Sequence, residues 1–116
     1  QAISYRWIPS AVFCSPEAAT VGWSEDDAEA KGIEFEVLCN RFVPLHYALS
    51  PQGKESLIKL VVEAKSGDIL GVHMVGDGVA EILQALVPAL KKGLTVEELT
   101  ATIGIHPTSG EELFSI

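Results

Sequence analysis

The chain has 116 residues, 47% of them hydrophobic and 21% charged, which is enough for one domain around a single core and is not the composition of a disordered chain. Sixteen acids against eight bases leave a net charge of −8, which argues against nucleic-acid and anionic-membrane partners, since both need clustered Lys and Arg. No apolar run approaches the roughly twenty residues of a membrane span. The start, Gln1 to Trp7, lacks a signal-peptide pattern, so the expected setting is cytoplasmic; with no initiator Met, the chain reads as a fragment of a longer protein.

Ile8 to Cys14 reads as a short strand beginning just after Pro9, and Ala18 to Trp23 as a second ended near Gly22. Ser24 caps a helix over Glu25–Lys31, with acids in its first turn, Lys31 in its last and Gly32 as its stop. Phe35 to Arg41 alternates as a strand. Phe42 to Leu49 is apolar and aromatic, and Pro44 makes it an edge or a loop. Its aromatics can line a ligand groove or fold back on the core, and composition favours the core. Ser50 to Lys54 is a turn cluster.

Leu57 to Ala64 and Ile69 to Val75 form a hairpin around Lys65-Ser-Gly-Asp68. Gly76-Asp-Gly78 then opens a helix, but without a GxGxxG or GxxxxGK[ST] fingerprint it is a weak phosphate signal. The helix spans Val79–Lys92, with Val79, Ile82, Leu83, Leu86, Val87 and Leu90 on one face. Pro88 predicts a kink near Gln84 to Pro88, and Ala85 and Ala89 leave a small face that another backbone can approach. Thr95-Val-Glu-Glu98 is a capping box for a short helix through about Ala101. Strands in blocks, without regular βα alternation, predict an α+β domain with a mainly antiparallel sheet packed with helices.

Cys14 and Cys39 have no CxxC spacing and read as buried free thiols, with a disulfide left open. His46, His73 and His106 are scattered, so no metal site is expected. The remaining chemistry is concentrated in Ile103 to Ile116. His106 titrates near neutral pH and Glu111 follows five residues later. Thr108-Ser-Gly-Glu111 and Ser109-Gly-Glu-Glu112 both also fit a helix-capping pattern, which makes either glutamate a helix-start residue and His106 a loop residue. Residue chemistry alone favours that reading, because the chain offers His106 no reacting group to serve.

Ile103-Gly-Ile-His-Pro-Thr-Ser-Gly-Glu-Glu-Leu113 closely resembles the C-terminal signature of the flavoprotein pyridine nucleotide-disulfide oxidoreductases, above all the glutathione reductases. The resemblance extends through Ile8–Phe13, Ala19–Glu25, Phe42–Leu45, Leu70–Gly78 and Ala80–Gln84, in that family's order, and covers nearly the whole chain. It implies that residues 1–116 are a single C-terminal dimerisation, or interface, domain. The full-length enzyme would use FAD and NADPH, with neither expected on the isolated domain, which would be inactive by itself. It would form a homodimer and reduce glutathione disulfide or a similar small disulfide.

By the same resemblance, His106 is the acid–base and Glu111 the carboxylate that orients it, both serving the partner subunit's active site. Phe42, Pro44, Leu45, Thr108 and Glu112 would contact the substrate, and His106 and Pro107 the flavin. His106–Pro107 is a candidate cis peptide. Dihydrolipoamide dehydrogenases usually carry a second His where this chain has Gly104, while Phe42-Val-Pro-Leu45 and Glu111-Glu112 look like glutathione or trypanothione reductases. Gly110 and Cys14 depart from close relatives at positions without evident chemistry. A non-catalytic homodimerisation module is the alternative.

Overall fold

Alternation along the strands decides which side of the sheet is covered. The structure, a computed structural model, describes residues 5–44 and 54–116. After a 3₁₀ turn at Tyr5–Trp7 come β1 (Ser10–Val12), β2 (Ala18–Gly22), α1 (Glu25–Ala30), β3 (Phe35–Phe42), β4 (Ser56–Glu63) and β5 (Ile69–Val75). They are followed by α2 (Val79–Lys92), α3 (Val96–Thr100) and a 3₁₀ helix at Gly110–Ser115. The strands form one antiparallel sheet in the order β1-β2-β5-β4-β3, so the expected α+β architecture and the β4–β5 hairpin both hold.

Register builds the core in layers. Ala19, Met74 and Ile58 lie abreast on β2, β5 and β4, as do Val21, Val72 and Leu60. All six are buried, against Val79, Leu83, Val87 and Leu90 of α2. Ile82 and Leu86 complete the expected apolar face of α2 but are only half-buried. The helix runs continuously through Pro88. Burying each of four large side chains contributes about 1.5–3 kcal/mol, which outweighs the roughly 3 kcal/mol that an interior proline costs.

Two helix starts follow the sequence closely. Ser24 and Asp27 form a reciprocal capping box on α1, and Thr95 and Glu98 form one on α3. Lys31 is the C-cap of α1, one residue past the helix, and its ammonium lies over the Trp23 ring at 4.8 Å. The start of α2 is different. The Gly78 N–H donates to the Glu17 carboxylate at 2.8 Å, so an anionic group of the chain itself sits where a phosphate was considered.

The other sheet face carries a polar row. Thr20, His73, Lys59 and Cys39 are register partners across β2, β5, β4 and β3. The Thr20 hydroxyl meets His73 Nδ1, and His73 Nε2–H donates to the Trp23 carbonyl at 3.1 Å. Burial, chiefly, holds the His73 pKa below the usual histidine value. Lys59 pairs with Glu25 at 2.8 Å. One end of this face is closed by α1, whose Ala28 packs with Val61 and Leu70.

The cysteines correct an expectation. Both are free and exposed. Cys39 has the residue type of a buried thiol, but strand parity turns it away from the helical layer; Cys14 lies in the β1–β2 connection and donates to the Pro16 carbonyl. Pro44 follows the edge strand β3, as its sequence context implies, and is buried. Leu45 through Leu49, and all but Lys54 of the expected turn cluster, lie outside the described residues.

Candidate active site

After α3 the chain turns back along α2 and leaves two large apolar side chains in the open. Ile103 is 95% exposed and Ile105 78%, on either side of Gly104. Gly104 lies tightly against the C-terminal 3₁₀ helix, where an added Cβ would come within 2.7 Å of Glu111 Cβ and 2.9 Å of Phe114. That close approach brings His106 over Glu111. The His106–Pro107 peptide is cis, as is Ser15–Pro16.

His106 Nδ1 lies 2.9 Å and 3.1 Å from the two carboxylate oxygens of Glu111. The carboxylate is in turn fixed by the Thr108 backbone N–H at 2.8 Å, while the Thr108 hydroxyl accepts from the Glu111 N–H at 3.2 Å and donates to the Ile105 carbonyl at 2.7 Å. The reciprocal Thr108–Glu111 bonds are the capping pattern read from the sequence. The capping carboxylate and the carboxylate that meets the imidazole are therefore one side chain. It closes the local turn and holds the imidazole.

The exposures are unequal, with 84% of the His106 side chain open to solvent against 22% of Glu111. The orienting group is sheltered and the oriented ring projects. Nδ1–H donation to the carboxylate selects the tautomer whose Nε2 lone pair points outward, and Nε2 has no partner among the described residues. The hydrogen bond donated to Glu111, then the charge of Glu111 and that of Glu112, raise the His106 pKa above the ordinary value of 6.5. The His106 bond, then the Thr108 N–H, lower the Glu111 pKa below its ordinary 4.5.

The sign of the coupling follows. Stability contributed through His106 is complete below its unfolded-state pKa and is lost as pH rises through the higher folded-state value; that contributed through Glu111 is lost as pH falls through its lowered value. The charged pair thus spans at least pH 4.5 to 6.5. In Glu111→Gln, the His106 titration midpoint followed by proton NMR is expected to fall back toward about 6.5. An unmoved midpoint means that the carboxylate does not set the ring's proton affinity.

The candidate substrate residues divide. Thr108 is exposed, but its hydroxyl and N–H are both engaged within the turn. Phe42, half-buried, ends β3 and packs on the core, which favours the core reading of that aromatic; Pro44 is buried beyond it, and Leu45 lies outside the described residues. Glu112 is half-buried and meets β3. The Asn40 Nδ2 donates to the Glu112 carbonyl at 2.9 Å and to its carboxylate at 3.1 Å. Asn40 was not singled out in the sequence; the only local signal is a poor strand former between Leu38 and Phe42.

His106 and Pro107, the residues expected to meet the flavin, are both exposed. Among the described residues no cluster of three or more metal-ligating side chains occurs, and no helix is long and apolar enough to cross a membrane.

Fold and site together define an α+β domain that presents an outward-facing, carboxylate-tuned imidazole on its C-terminal turn. Residues 8–115 match the family model described as the pyridine nucleotide-disulphide oxidoreductase dimerisation domain, and the chain belongs to that family. It is 40% identical over 115 residues to a glutathione reductase of Nostoc sp., covering 97% of this chain and 25% of that protein. It is 39% identical over 112 residues to the chloroplastic/mitochondrial glutathione reductase of Pisum sativum, covering 97% and 20%. With a trypanothione reductase of Leishmania donovani the identity is 35% over 117 residues, covering 100% and 24%. The chain thus spans about a fifth to a quarter of the length of these relatives.

Proposed function

We propose that these 116 residues are the dimerisation part of a longer FAD- and NADPH-dependent disulfide reductase, and that His106 serves the partner subunit's active site as its acid–base. The observation that carries this reading is the projecting His106 ring, clamped at Nδ1 by a sheltered carboxylate. In thiol–disulfide exchange the attacking thiol must lose a proton and the leaving thiolate must gain one. His106 Nε2 accepts the first proton and returns it to the departing sulfur; Glu111 stabilises the imidazolium between the two steps.

The cofactors supply hydride transfer when bound, and in this reading they are held mainly by the rest of the full-length protein, with His106 and Pro107 touching the flavin's edge from the partner. A homodimer agrees with the exposed Ile103 and Ile105 and with a groove of about 480 Å³ between α2 and the His106 turn, lined in part by Ile82, Ala85 and Leu86. Glutathione disulfide is the favoured substrate, with Phe42, Pro44, Leu45, Thr108 and Glu112 as its contacts. Thr108 would act there through its methyl or backbone, its hydroxyl being engaged.

The full-length protein should purify as a yellow dimer and oxidise NADPH when given glutathione disulfide. Faster turnover with trypanothione disulfide or lipoamide would reassign the substrate. A colourless dimer inactive with all three would leave only the assembly role.

A further inference from the structure

We propose that Asn40 is a positioning residue for disulfide binding, holding Glu112 in place from the edge strand. The inference rests on the reading of Glu112 as a substrate contact and adds what sets that contact's geometry.

Asn40 lies on the face of β3 shared by Leu38 and Phe42, both packed against the core. An amide in that row has few polar neighbours to choose from. Its two N–H groups find both acceptors of one residue, the carbonyl and the carboxylate of Glu112, across 72 positions of sequence. Two acceptors facing one amide orient it nitrogen-inward without ambiguity. The first bond ties the 3₁₀ helix to β3, and the second restrains the side chain. Among the described residues the bond falls on Oε2 of Glu112, which leaves Oε1 for an N–H donor on a substrate.

Glu112 is also close enough to act on the neighbouring site, since its charge contributes to the raised proton affinity of His106. Leu113 beside it is buried in the core. The backbone at residue 112 is thus anchored from two directions, and Asn40 decides where the carboxylate points. A substrate contact fixed in this way loses less rotamer freedom on binding than a free glutamate would.

The test uses the full-length enzyme. Asn40→Leu, which keeps the branched shape and removes both donors, is expected to raise KM for the disulfide about three- to tenfold, with a smaller change in kcat. Asn40→Thr suits a strand and supplies one hydroxyl donor in place of the amide, and should give an intermediate KM. In a Glu112→Ala background, Asn40→Leu should add little to KM, because the carboxylate it positions is gone and only the bond to the residue 112 carbonyl is left to lose. A KM that rises in Glu112→Ala but not in either Asn40 variant overturns the positioning role alone. So does an Asn40→Leu effect of equal size with and without Glu112, which marks a merely structural residue. An unchanged KM in Glu112→Ala overturns the Glu112 contact, and this inference with it.

Discussion

Replacing His106 by alanine in the full-length protein is expected to lower disulfide turnover by about 10²- to 10⁴-fold, the usual contribution of a positioned acid–base. The loss should be confined to one half-reaction. Hydride transfer from NADPH to the flavin involves no sulfur and needs no imidazole, so rapid-mixing measurement of flavin bleaching should give the parental rate. The geometry makes the split sharp. The His106 side chain is 84% exposed, and Glu111, its partner among the described residues, keeps the Thr108 N–H when the ring is removed. The domain should therefore fold normally without the imidazole. If both half-reactions slow equally, the ring is supporting the assembly and the acid–base role fails.

The second large effect concerns folding. Gly71→Ala is expected to cost about 4–5 kcal/mol or more, against the 5–15 kcal/mol that typically holds a domain together. A Cβ at residue 71 would stand 2.0 Å from the Trp23 carbonyl oxygen and 2.9 Å from its N and C atoms. These are backbone atoms, and they cannot swing aside. The Trp23 N–H is bonded to the Leu70 carbonyl at 2.9 Å, and its carbonyl accepts from His73. Gly71 faces Gly22 across β5 and β2, and a Cβ at Gly22 would likewise meet Leu70 O at 2.4 Å. The strands cross closely because neither residue has a side chain. Gly67→Ala is the informative comparison. Unlike Gly71, Gly67 has a positive φ, at 76°, but nothing lies within 4 Å of an added Cβ, so only about 1–2 kcal/mol of backbone cost applies. Denaturant midpoints of the two variants should differ widely; similar midpoints would mean the β2–β5 crossing relaxes freely.

The parts legible in the sequence were those with a local period or a local cap. The hairpin, α2, the Ser24 cap and the Thr95 capping box each depend on residues within one element, and the structure keeps them. The His106–Glu111 pair was legible as two competing readings, because a capping carboxylate and an orienting carboxylate occupy the same position in the turn. Register and parity were harder to foresee. Cys39 was misplaced because thiols are usually buried, whereas its neighbours across the sheet are Lys59 and His73. The Asn40–Glu112 and Glu17–Gly78 contacts join distant segments, and no short pattern announces them.

Glu111 has a consequence for how such a chain can drift. Its two oxygens answer to the Thr108 amide and to the imidazole together. A substitution that removes the carboxylate opens the turn in the same stroke as it frees the ring, so the hold on the imidazole and the shape that displays it are lost together.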